Sequence, residues 1–115
     1  MDSICLQVMA GDHRRSPFHT GGGALFTLDA YPGHGYCNDL VSFRLARALG
    51  CVFKHTECLE YSYLTYHPLP VHSVTTLNVK TRGSFALMPY WVPIVAIVIS
   101  HLEHPGMCES DIILS

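Results

Sequence analysis

The sequence predicts a small α+β domain followed by an apolar segment. Three observations lead there: short runs of alternating apolar residues, one well-punctuated helix pattern over residues 38–49, and an uncharged stretch from Gly83 to Leu102. At 115 residues the chain suffices for one modest core and is too short for two. The expected organisation is an α+β region over 1–82, an apolar segment over 83–102 and an acidic tail over 103–115.

Ile4, Leu6 and Val8 alternate with Cys5, Gln7 and Met9, the period-two pattern of a half-buried strand that stops at Gly11. Residues 12–23 hold Pro17 and the run Gly21, Gly22, Gly23, and read as a loop. Ala24 to Tyr31 suits a strand or a short helix, and Pro32, Gly33 and Gly35 then impose a turn. The helix over 38–49 takes Asn38 as its N-cap, Asp39 at the positive end of its dipole, and Gly50 as the residue that leaves it in the left-handed conformation. Tyr61 to Tyr66 and Val71 to Val79 are rich in aromatic and β-branched residues and read as strands, joined by a stiff connection through Pro68 and Pro70.

Composition narrows the functional classes. Charged residues make up 14% of the chain, against about 25% in an ordinary soluble domain. The formal net charge of -2, with lysines and arginines scattered, excludes a phosphate-binding patch and hence nucleic acid as a partner. The N-terminus has neither the basic nor the long apolar region of a secretory signal. Cys5, Cys37, Cys51, Cys58 and Cys108 are odd in number and irregularly spaced, which predicts free thiols and not a disulfide framework.

The apolar run admits two structures. As a helix, the twenty residues from Gly83 to Leu102 would cover roughly 30 Å, the thickness of a hydrocarbon core. Nine Phe, Leu, Ile and Val side chains would favour insertion by about 3–5 kcal/mol. Pro89 and Pro93 oppose the helix, each at about 3 kcal/mol in water, and Tyr90 and Trp91 fall in its middle, not at its ends. The alternative is a buried strand over Val92 to Ile99, with six β-branched residues in eight. Lys80 and Arg82 precede the run and Glu103, Glu109 and Asp111 follow it, which orients a span with its N-terminal side in the cytosol. This layout resembles that of tail-anchored membrane proteins. The resemblance implies a membrane location, with lipid and membrane proteins as partners and action by contact.

No motif names a reaction, and no catalytic residue, cofactor or metal set is assigned. Cys51, His55 and Cys58 would share a helical face, and His67 or His72 would complete four zinc ligands, yet the intervals match no usual zinc pattern. His101, Glu103 and His104 miss the metalloprotease spacing, and the glycines at 21–23 and 33–35 lack the Lys-Ser/Thr of a phosphate loop. Cys37 lies near His34 without an orienting acid. Residues 22–30, Gly-Gly-Ala-Leu-Phe-Thr-Leu-Asp-Ala, are similar to the opening of the central helix in hot-dog-fold acyl-CoA thioesterases, and Thr75 to Val79 is similar to a strand of that family. That resemblance implies a soluble α+β domain in which Asp29 is the acid and amides near Gly22 and Gly23 polarise a thioester carbonyl. A third reading, a young reading-frame product with no evolved activity, predicts protease sensitivity and no cooperative unfolding.

Overall fold

Leu6 and Val8 are fully buried while Cys5, Gln7 and Met9 between them are half-exposed, so the alternation read in the sequence sets one face of a strand against a core. The computed structural model describes residues 4–11, 25–32, 37–62, 68–81, 91–100 and 111–115. Among these, the elements are β1 (Ile4–Ala10), β2 (Leu25–Pro32), β3 (Asp39–Ser42), α1 (Phe43–Leu49), β4 (Glu60–Tyr61), β5 (Leu69–Thr81), β6 (Val92–Ile99) and β7 (Ile112–Leu114).

The sheet returns on itself. β1 runs antiparallel to β2, with Leu6 opposite Leu28, and β2 runs parallel to β7, with Tyr31 opposite Ile113. β7 is antiparallel to β3 at Leu40 and Ile113, and β3 is parallel to β6 at Val41 and Val98. β6 is antiparallel to β5 at Ile94 and Leu77, and β5 reaches back to β1, with Val8 opposite Val79. Six strands thus form a nearly closed, barrel-like sheet, to which β4 adds at the start of β5.

Inward side chains include Leu6, Val8, Val41, Leu77, Val79, Val98 and Ile112, and α1 contributes Leu45, Ala46 and Leu49 to the same core. Leu40, Ile99 and Ile113 belong to a second cluster with Tyr61. Neighbours in sequence such as Ile112 and Ile113 are therefore buried in different cores, as the period-two geometry of a strand requires.

The α+β expectation is corrected by this architecture, which among the described residues is mostly β-sheet with one short helix. The helix expected over 38–49 begins only at Phe43. Residues 39–42 form β3 because Leu40 and Val41 bury opposite sides, a period of two that no helix supplies, while Leu45, Ala46 and Leu49 keep the helical spacing. The N-cap is consequently Ser42, whose hydroxyl accepts from the Leu45 amide at 3.2 Å. Asn38 lies exposed ahead of β3. Gly50 does end the helix in the left-handed conformation, at φ 76°.

The membrane-spanning helix is likewise overturned. Its described portion forms β6, and no helix among the described residues is long and apolar enough to cross a membrane. A transmembrane or tail-anchored description therefore loses the span it needed. The membrane location inferred from that span is left without support. Six β-branched residues favour the pleated conformation, and strand pairing satisfies the backbone that prolines would have left open in a helix. β6 is only partly covered: Ala96 and Val98 are fully buried, whereas Val95 is 66% exposed. Among the described residues β3 flanks β6 only from Ala96 onward, so Pro93 sits on an edge portion, where a sheet tolerates a missing donor. Residues 83–90 lie outside the described residues. Residues 112–114, near the end of the expected acidic tail, form β7.

Candidate functional site

Among the described residues, two arrangements bring several polar or aromatic side chains together. The first arises at an irregularity in β5. Register passes from Val71 opposite Ile99 to Ser73 opposite Val98, leaving His72 as the extra residue of a bulge, a device that re-aims a side chain out of the ladder. Residues 51–61 run alongside β5: Lys54 and Val74 exchange backbone hydrogen bonds of 2.8 and 3.0 Å, and Thr75 Oγ1 donates to the Val52 carbonyl at 2.7 Å. This placement sets Phe53 edge-on to His72, with centroids 5.2 Å apart. Phe43, at the start of α1, lies 4.5 Å from His72 and stacks on Phe53 at 5.4 Å.

His72 Nδ1 is 2.9 Å from Ser73 Oγ, a pairing that could serve nucleophilic chemistry if the hydroxyl were accessible. Ser73 is only 3% exposed, so its oxygen cannot meet a carbonyl carbon. Cys51 is no better a nucleophile. Burial pushes its thiol above the ordinary value and outweighs the hydrogen bond with Thr75 that acts the other way.

The second arrangement is the seam filled by β7. Ile112 enters the barrel core and Ile113 the second cluster, both fully buried. Polar clamps hold the two ends. At the first, the Ser42 amide donates to the Asp111 carbonyl at 2.8 Å and the Ser42 hydroxyl to Asp111 Oδ1 at 2.7 Å. Arg44 adds a two-pronged contact, Nε to Oδ1 at 2.7 Å and Nη2 to Oδ2 at 3.3 Å. At the second, the backbone amide and hydroxyl of Ser115 donate to Asp39 Oδ1 at 2.8 and 3.1 Å. Ser42 thus caps α1 and fastens β7 at once, which couples helix entry to closure of the sheet.

Burial tends to raise the Asp111 carboxyl, but the hydrogen bonds from Arg44 and Ser42 and the charge of Arg44 outweigh it and hold the group below its ordinary value. The folded chain therefore holds this proton less tightly than the unfolded chain. The clamp's contribution to stability is present above the ordinary value of 3.8 and is lost as pH falls through the lower folded value. Arg44 is 61% exposed, which limits the ion pair to about 1 kcal/mol or less. Denaturant midpoints measured at pH 5 and pH 3 are expected to differ less in Asp111→Asn than in the parent. Equal acid sensitivity in the two chains would show that the clamp is not what titrates.

The residues singled out in the sequence are dispersed. Cys51 is buried, His55 and Cys58 are exposed, and His72 lies against Phe43 and Phe53, while His67 lies outside the described residues. Among the described residues no three His, Cys, Asp or Glu side chains gather to hold a metal ion. Cys58 Sγ contacts the Glu60 carbonyl, and the Cys37 amide donates to the Tyr61 hydroxyl. His34, the glycines at 21–23 and the residues His101, Glu103 and His104 lie outside the described residues.

Leu25–Pro32 is a strand where the thioesterase resemblance implies a helix, and Asp29 is exposed opposite Cys5 of β1. Sequence reasoning missed Ser42, Arg44, Asp111, Asp39 and Ser115 as a set. Only the Asp-Ile-Ile-Leu pattern at 111–114, an acid before a short β-branched run, hinted that this segment docks.

No family model, curated protein or solved structure matches the chain. Its described residues define a small, barrel-like sheet of mixed parallel and antiparallel strands, in which β7 fills the seam between β2 and β3.

Proposed function

We propose that the chain acts by contact with other polypeptides, through strand pairing at the seam between β2 and β3. The observation that carries this reading is the construction of the seam. A three-residue strand lies parallel to β2 and antiparallel to β3, buries two consecutive isoleucines in separate clusters, and is gripped by side chains at both ends. Such a slot supplies the two elements of strand-addition recognition: backbone pairing for affinity and alternating side-chain sites for selectivity. The ligand it suits is an extended peptide with an acidic residue followed by two β-branched aliphatic residues.

A fluorescent peptide with the sequence of residues 109–115 tests the proposal. The receiving chain carries Ile112→Asp and Ile113→Asp, so that its own strand is displaced. Burial of two isoleucines at about 1.5–3 kcal/mol each, less the ordering of the peptide, leaves at most about 4–5 kcal/mol and an expected dissociation constant of roughly 0.2–1 mM. The parent chain, with the slot occupied, is expected to bind at least tenfold more weakly. Absence of an anisotropy change with the double variant at millimolar concentration, together with no rise in its melting temperature, would remove the proposal.

A further inference from the structure

We infer that the seam also accepts residues 111–115 of a second copy, so that two chains exchange β7 and form a reciprocal dimer. This rests on reading the seam as a strand slot and goes further by naming the occupant. The segment known to fit is the chain's own, and every contact it makes within one molecule is chemically available between two. These contacts are the Asp111 clamp on Ser42 and Arg44, the Ile112 and Ile113 sites, and the Asp39 clamp on Ser115.

Exchange requires the segment before β7 to reach a second copy. Ser100 closes the described part of the chain after β6, and residues 101–110 separate it from Asp111. Ten residues reach at most about 36 Å when extended. That reach is comparable with the 34 Å middle extent of the molecule, the scale over which two adjoining copies would have to trade the segment. Because both states make the same contacts, the balance is set by concentration: a segment tethered by a short linker competes at an effective concentration on the order of millimolar. The exchanged form is therefore scarce in dilute solution and gains weight when chains refold together at high concentration.

The Asp111–Arg44 pair allows exchange to be directed. Arg44→Asp and Asp111→Arg each place like charges in their own clamp. In a mixture, the two chains restore opposite charge at both clamps only by trading strands. Co-refolding the two variants at about 1 mM and reading native mass spectra is expected to give a one-to-one heterodimer at least tenfold more abundant than the homodimer of either variant alone. Adding Ile112→Asp and Ile113→Asp to both is expected to abolish it.

Two monomers only in the mixture, or a heterodimer that survives loss of both isoleucines, would overturn the inference. A second measurement needs no substitution. The parent chain in heavy-isotope and ordinary form, co-refolded at high concentration, is expected to show mixed dimers enriched at least tenfold over a sample refolded at micromolar concentration, and their absence would also overturn it. Peptide binding without exchange would refute the dimer and leave the strand-slot reading intact, whereas failure of both would remove the slot itself.

Discussion

Val98→Asp is expected to abolish cooperative unfolding, while Val95→Asp, three residues away in the same strand, is expected to shift stability by less than about 1 kcal/mol. Val98 is fully buried in the barrel core, opposite Val41 of β3 and Ser73 of β5. The described residues clustered with Val98 are apolar and offer a carboxylate no compensating charge. The effective cost of burying such a charge is several kcal/mol, added to the lost transfer energy of the valine. A domain of this size holds about 5–15 kcal/mol in all, so the variant is left with little or nothing. Val95 is 66% exposed on the outer side of β6, where aspartate stays hydrated. Thermal melts followed by circular dichroism measure both. A membrane helix would give a different pattern, since lipid would penalise charge at either position; comparable damage at both sites would therefore contradict the strand.

The second large effect is expected at Gly11. Its amide donates to the Thr76 carbonyl at 2.7 Å, continuing the contact between the end of β1 and β5. A β-carbon on Gly11 would lie 2.7 Å from the Thr76 carbonyl carbon, its oxygen and its Cγ2. Two of those three atoms are backbone, so relief requires the strands to part, not one side chain to rotate. Gly11→Ala is expected to cost about 1–3 kcal/mol, in the range of overpacked interiors, with the loss seen as a lower denaturant midpoint. An unchanged midpoint would mean that β1 and β5 are not held so closely, and the barrel would then be open at this junction.

How much of this was legible in the sequence depends on whether the signal was local. Alternation at Ile4 to Met9 and β-branched enrichment at Val71 to Val79 report directly on the pleat, and β1 and β5 appear where they were expected. Gly50 was legible for the same reason, because a left-handed exit from a helix is a property of one residue. The helix start was not. Asn38 and Asp39 form a plausible cap, but pairing of residues 39–42 with β6 and β7, distant in sequence, outweighed that local preference and moved the cap to Ser42.

The run from Gly83 to Leu102 failed in a similar way. Hydropathy and length describe a span and a core strand equally well, and only the partners of β6 separate them. The seam was the least legible feature. Ser42 and Asp111 stand 69 positions apart, Asp39 and Ser115 stand 76 apart, and none belongs to a recurring motif.

β6 is a strand bound on one side to β5 and, in its second half, to β3. Backbone nuclear Overhauser contacts in the uniformly labelled chain test this most directly. Contacts linking Val98 to Val41 and Leu77 to Ile94, without the sequential amide and three-residue contacts of a helix along Val92–Ile99, are the predicted result. A continuous series of those helical contacts through Val92–Ile99, with no contact to β3 or β5, would show that the segment is not this strand.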